Sequence, residues 1–212
     1  MLRLFIIRHA ESEWNPVGRY QGLLDPGLTE RGVRQARLLA QALKDEGISV
    51  LFTSPLKRTY ETARIVGEEL GLEPIVDERL REIDHGEWSG LLVEEVKKKY
   101  PEQFEAWLKE PHRVVFPGGE SLKEVFKRVT DFLNDVRSRY EGRTVAAVSH
   151  TVPIRCLYCS ALGIDLSKFW SFGCDNASYS VLYLDSEGRN VLHKLNLTCH
   201  LGELYVEAHR AL

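Results

Sequence analysis

The sequence predicts an α/β protein, a three-layer α/β/α sandwich around a mostly parallel central sheet. Three observations carry this. Residues 2–7, 50–53 and 144–148 are short apolar runs without polar alternation, the pattern of strands buried on both faces. Segments of helical period separate them. Two of the runs stop abruptly at polar pairs, Arg8-His9 and Ser149-His150, as strands do when they deliver side chains to the ligand-binding rim of such a sheet.

After the first strand and a loop through Pro26, residues 32–44 place Val33, Ala36, Leu39, Ala40 and Leu43 on one helical face, closing near Gly47. The second strand, 50–53, runs into Ser54-Pro55, read as N-cap and first helical residue of a helix that ends at Gly71. Residues 73–76 form a third strand, and 84–90, rich in Gly, polar and aromatic residues, form a functional loop. Short helices at about 93–100 and 102–108 make up a helical insertion, 91–117, expected over one edge of the sheet. Ser121-x-x-Glu124 is a capping box opening a helix that carries Val125, Val129, Phe132, Leu133 and Val136 on one face and ends near Tyr140. The strand at 144–148 is followed by a helix from about Pro153 to Leu162, and 177–184 and 190–197 alternate as an antiparallel pair joined by Asp185-Ser186-Glu187-Gly188. The 212 residues are one domain, 1–212, with a C-terminal tail from about 198 to 212.

Composition excludes several classes. With 43% hydrophobic and 28% charged residues the chain is an ordinary soluble globular protein rather than a disordered or disulfide-scaffolded one. A net charge of −3 without long like-charge runs argues against nucleic acid as a partner. The densest basic run, Lys97, Lys98 and Lys99, is a solvated helix face. No apolar stretch reaches the roughly 18 residues of a membrane span, and the N-terminus has no cleavage pattern, so no membrane partner and a cytoplasmic location are expected. Cys156-x-x-Cys159 lacks the second close pair of a zinc site, leaving Cys156, Cys159, Cys174 and Cys199 as reduced, mostly buried thiols. No metal is expected.

If the first strand and the one at 144–148 are parallel neighbours, His9 and His150 share one rim. Arg8 adds a planar cation suited to phosphate, and Arg58 lies one turn into a helix whose N-terminus favours an anion. Arg8, His9, Arg58 and His150 together are what a phosphoryl group needs.

Arg8-His9-Ala10-Glu11-Ser12-Glu13-Trp14-Asn15 resembles the Arg-His-Gly signature of the histidine phosphatase, or phosphoglycerate mutase-like, superfamily. In family order follow Leu28-Thr29-x-x-Gly32, Ser54-Pro55-Leu56-x-Arg58-x-x-x-Thr62-Ala63, Glu82-x-x-x-Gly86-x-Trp88-x-Gly90, Gly118-Gly119-Glu120-Ser121 and Val148-Ser149-His150, covering nearly the whole chain. The resemblance implies the phosphoglycerate mutase-like fold. It also implies His9 as phosphoryl-accepting nucleophile, Arg8, Arg58, His150 and Asn15 around the phosphate with the backbone N–H of Thr151, and no cofactor. It puts Glu82 in the role of general acid, with Asp84 and Glu87 as neighbouring alternatives. Ala10 departs from the signature's glycine, which matters only if the turn there needs a positive φ.

The insertion lacks a mutase-like set of basic residues among Lys97 to Lys99, Lys109 and Arg113, which favours hydrolysis. Residues 11–26, Ile83-Asp84-His85-Gly86, 165–180 and the tail with His200, Glu203 and His209 are similar to the metal-independent phosphoserine phosphatases of the superfamily, which hydrolyse L-phosphoserine to L-serine. That similarity implies head-group contacts from Gln21, Gly22, His85, His200 and Glu203, and a homodimer. The aromatic run Phe169, Trp170 and Phe172 is either core packing or a dimer contact. A broad-specificity phosphomonoesterase or a phosphoglycerate mutase is the alternative.

Overall fold

The computed structural model describes residues 1–208, and His209 with the end of the tail lies outside them. Six strands, β1 (Leu2–Arg8), β2 (Val50–Thr53), β3 (Ile75–Val76), β4 (Thr144–Ser149), β5 (Tyr179–Leu184) and β6 (Val191–Leu197), form one sheet in the order β3-β2-β4-β1-β5-β6. The four strands β3, β2, β4 and β1 run parallel, whereas β5 and β6 return antiparallel beside β1. Arg8 pairs with Ser149 across β1 and β4, so His9 and His150 leave the sheet at the same level.

Both faces are covered, which is why the inner strands read as unbroken apolar runs. Phe5 and Ile7 of β1 face a core shared with α1 (Glu30–Leu43) and α2 (Lys57–Leu70), and Leu4 and Ile6 face a larger core shared with α5 (Leu122–Arg139) and α6 (Thr151–Leu162). On α5, Val125, Val129, Phe132, Leu133 and Val136 are all buried, each contributing about 1.5–3 kcal/mol relative to exposure. The Ser121–Glu124 capping box opens that helix as the sequence predicts.

Helix boundaries differ where side chains found other partners. Helix α1 starts at Glu30 because the Thr29 hydroxyl accepts from Gly32 N and caps it. Gly32 is required there, since a Cβ would lie 2.0 Å from the Glu11 carbonyl oxygen. Ser54 is not the cap of α2, which begins at Lys57 without a side-chain cap; its Oγ lies 2.8 Å from His150 Nε2 and accepts from Leu56 N at 3.3 Å. Helix α6 starts at Thr151, directly after His150, and Pro153 fits inside its first turn, where the missing N–H costs nothing. The third strand shrinks to two residues.

The insertion folds as α3 (Val93–Lys99) and α4 (Pro101–Lys109). Rather than covering a sheet edge, Val93, Val96, Phe104, Trp107 and Phe116 join the core on the α5 and α6 side. Trp107 stacks edgewise on Trp170 at 5.0 Å and accepts its indole N–H through the backbone carbonyl at 2.7 Å. Phe169 is fully buried and Arg155 lies over both rings, so this aromatic run is core packing and not an exposed dimer patch. The tail turns through Cys199–Leu204 against α1, with Leu201 buried and Gln35 Nε2 donating to Leu204 O at 2.9 Å. Beyond it, Asp175 accepts from Tyr205 Oη at 3.3 Å and from Ala208 N at 2.9 Å.

Candidate active site

The ends of β1 and β4 set the rim. His9 donates its backbone N–H to Ser149 O, and its own carbonyl accepts from Ala177 N and Asn176 Nδ2, each at 3.1 Å, which fixes the residue from both sides. Its ring Nδ1 lies 2.7 Å from Ala10 O. A carbonyl only accepts, so Nδ1 carries the proton and Nε2 keeps its lone pair. Burial, then the charges of Arg58 and Arg8, hold the His9 pKa well below its ordinary 6.5 and the ring neutral. The His150 ring sits 5.2 Å away, its Nε2 against Ser54 and its pKa likewise held low, chiefly by burial.

The cations are anchored with one edge to spare. Arg58, 1% exposed on α2, donates from Nη1 to Leu24 O and from Nη2 to Gly22 O, each at 2.9 Å. Burial pushes its pKa down to about 10, which leaves it cationic near neutrality. Arg8 donates from Nη1 to Cys174 O at 2.6 Å. Arg8 Nε, Arg58 Nε and His85 Nδ1, on residues that line one cavity, have no hydrogen-bond partner among the described residues, nor does Nδ1 of His150, which does not itself line it. Buried polar groups are rarely left so, and a concentration of them around one cavity fits an anionic, oxygen-rich ligand. Asn15 adds to the set, because its Oδ1 is occupied by Ser12 N, Ser12 Oγ and Asn176 Nδ2, leaving the amide nitrogen to face a ligand. Thr151 lines the same cavity at the start of α6, where backbone N–H groups have no intrahelical acceptor.

Glu82 lines the same cavity. Its Oε1 accepts from Ile83 N at 2.8 Å, and burial raises its pKa above the ordinary 4.5 against the opposing pull of that hydrogen bond and of Arg58, Arg128 and Arg8. Asp84 and Glu87 do not line the cavity: Asp84 Oδ1 accepts from Gly86 N at 2.9 Å and Glu87 Oε2 from Tyr100 Oη at 2.6 Å.

Gln21, Gly22 and His85 complete the wall. Gln21 Oε1 lies 2.8 Å from Ser12 Oγ, where it competes with Asn15 Oδ1 for the one hydroxyl proton. The His85 ring lies between Tyr20 and Phe116, and burial pushes its pKa down to about 3. Gly22 has φ +51°, and a Cβ there would meet Ser89 Oγ at 2.8 Å. His200 and Glu203 do not join them. His200 Nε2 is 3.0 Å from Ala177 O with its ring beside Tyr179, and Glu203 is exposed. The tail approaches the site later, where Val206 and Glu207 share a groove with Asn15. The sequence reading also missed Arg19, Tyr20, Trp107 and Val152 as cavity walls. In sequence Trp107 and Val152 carry only a helical core pattern, which is also what they are.

A sequence model described as the histidine phosphatase superfamily (branch 1) matches residues 4–198. The chain belongs to that superfamily. Among histidine phosphatases, phosphoserine phosphatase 1 of Hydrogenobacter thermophilus is 63% identical over 212 residues, covering all of both chains. A solved phosphoserine phosphatase variant from Entamoeba histolytica in complex with phosphoserine superposes with a TM-score of 0.85 at 29% identity, over 95% of this chain and 100% of that one. A mycobacterial glucosyl-3-phosphoglycerate phosphatase gives 0.86 at 31% identity, over 92% and 99%. The histidine phosphatase signature's glycine is Ala10 here. It is fully buried, is not among the positive-φ residues, and donates its N–H to Thr62 Oγ1 at 3.1 Å, so a methyl group is accommodated.

Proposed function

We propose that this histidine phosphatase hydrolyses L-phosphoserine to L-serine and phosphate through a phosphohistidine at His9, without a metal or cofactor. The observation that carries the reading is the neutral His9 ring, its Nδ1 turned to Ala10 O, beside the buried Arg8 and Arg58 Nε donors that have no partner among the described residues. In the first step Nε2 attacks phosphorus, the phosphorus–oxygen bond to serine breaks, and Glu82 gives its proton to the departing oxygen. Arg8, Arg58, Asn15, His150 and the Thr151 N–H hold the phosphoryl oxygens, the positioning and charge neutralisation that phosphoryl transfer chiefly requires. In the second step water attacks phosphorus and gives a proton to Glu82, the phosphorus–nitrogen bond to His9 breaks, and phosphate leaves with the His9 ring neutral again.

The substrate assignment draws on the 63% identity to a phosphoserine phosphatase over the full chain. Gln21, Gly22 and His85 are the head-group residues of this reading. His200 and Glu203 drop out of it, because the first is engaged with Ala177 and the second faces solvent. The chain acts as one domain, 1–212, whose insertion at 91–117 supplies Trp107 to the cavity and whose tail from 198 brings Val206 and Glu207 to a neighbouring groove that shares Asn15 with it. No described helix is long and apolar enough to cross a membrane. Four free thiols suit the cytoplasm, where we place the protein.

Phosphate release in EDTA from L-phosphoserine, 3-phosphoglycerate and p-nitrophenyl phosphate tests the assignment. The expected preference for L-phosphoserine over 3-phosphoglycerate is at least about 100-fold in kcat/KM, the scale that polar head-group recognition supplies. Comparable rates on all three would reduce the protein to a broad-specificity phosphomonoesterase. No release, with isomerisation of 3-phosphoglycerate, would make it a mutase. A homodimer belongs to the same reading and rests on the resemblance to the dimeric phosphoserine phosphatases. Light scattering at micromolar concentration is expected to return twice the 24.3 kDa chain mass, and a monomer mass would remove the dimer.

A further inference from the structure

Residues 79–84, which carry Glu82, run from one short 3-10 helix towards another and have few backbone partners of their own. Buried carbonyls in such a segment must be satisfied from elsewhere. Arg128, a residue of α5 with a side chain only 13% exposed, does most of this: Nη1 donates to Arg79 O at 2.7 Å and to Arg81 O at 2.6 Å, and Nη2 donates to Glu82 O at 3.1 Å. Nη2 also meets Glu120 Oε2 at 3.3 Å, and the same oxygen accepts from Asp84 N at 2.9 Å. Ser149 Oγ, next to His150, donates to Leu80 O at 2.7 Å. One guanidinium therefore grips the backbone on both sides of Glu82, yet Arg128 does not line the cavity.

We propose that Arg128 is a positioning residue for the proton donor: its guanidinium, held by Glu120, clamps residues 79–82 so that the Glu82 carboxyl keeps its place in the cavity that His9 also lines. The inference rests on Glu82 being the general acid. Displacements of about 1 Å in a reacting group cost on the order of a hundredfold in rate. Three carbonyls in different directions demand the planar fork of arginine, which a lysine ammonium reproduces only in part.

The test compares kcat/KM for wild type, Arg128→Met, Arg128→Lys and Glu82→Gln on L-phosphoserine and p-nitrophenyl phosphate. The serine alkoxide needs a proton as it leaves and p-nitrophenolate does not, so a group acting through Glu82 affects only the first ester. Arg128→Met is expected to lower kcat/KM for L-phosphoserine by about 30- to 100-fold and for p-nitrophenyl phosphate by less than about threefold, with Arg128→Lys between it and wild type. An equal loss on both esters, or no loss on either, overturns the proposal. If Arg128→Met fails to fold by circular dichroism, Glu120→Gln loosens the same clamp from its other end; it should show the same selective loss, and an unselective one overturns the proposal equally. A selective Glu82→Gln beside an unselective Arg128→Met sinks this inference alone. An unselective Glu82→Gln removes the acid assignment and this inference with it.

Discussion

Replacing His9 by alanine is expected to abolish phosphate release, lowering kcat by at least about 10⁴-fold, because no second nucleophile stands ready. The His150 ring is the nearest substitute, but its Nε2 is occupied by Ser54 Oγ at 2.8 Å. The variant should keep its fold. The lost ring makes one hydrogen bond, to the carbonyl of the next residue, while the backbone contacts of residue 9 to Ser149, Ala177 and Asn176 remain. Arg8 and Arg58 stay anchored by Cys174, Gly22 and Leu24, so the variant should still bind L-phosphoserine while trapping no acid-labile phosphate on the protein. Turnover within about tenfold of wild type would refute the phosphohistidine route.

Glu82→Gln keeps the side chain's shape and its acceptor for Ile83 N but cannot supply a proton. For L-phosphoserine kcat/KM is expected to fall by about 10²- to 10⁴-fold, with little change for p-nitrophenyl phosphate. The pH profile separates the groups by sign. The acid works only while protonated, and burial raises its pKa above 4.5. The wild-type rate on L-phosphoserine should therefore decline as pH rises through that elevated pKa, and the decline should vanish in Glu82→Gln. On the acid side His9 must be unprotonated, and its pKa lies well below 6.5. No loss of kcat/KM is then expected as pH falls through the ordinary histidine range. A rate that halves near 6.5 on the acid side in both enzymes would show that the buried imidazole titrates normally.

Much of this site was legible because it hangs on strand ends. Runs of apolar residues announced β1 and β4, and the polar pairs after them announced what those strands deliver. Only the pairing of the two strands had to be supplied by the fold, and the register of Arg8 with Ser149 supplies it. What failed was partner choice at long range. Ser54 has the local pattern of an N-cap, but His150, 96 residues away, takes its hydroxyl. His200 and Glu203 have the chemistry of ligands, but Leu201 burying against the α1 side turns them to the Ala177 carbonyl and to solvent. Arg128 looked like any polar residue on the outer side of an amphipathic helix, because nothing in helical periodicity records which carbonyls a guanidinium will meet.

The place of β1 in the middle of the sheet bears on how the molecule is made. Both of its neighbours come much later in the sequence: β4 at 144–149 and β5 at 179–184. At roughly 5–20 residues per second, this apolar segment waits about 7–27 seconds for β4 to be made. Because the arginine at its end takes its anchor from Cys174, the nascent chain carries an unfinished catalytic rim until Cys174 has been made. Closing the sheet and completing the rim are thus one event.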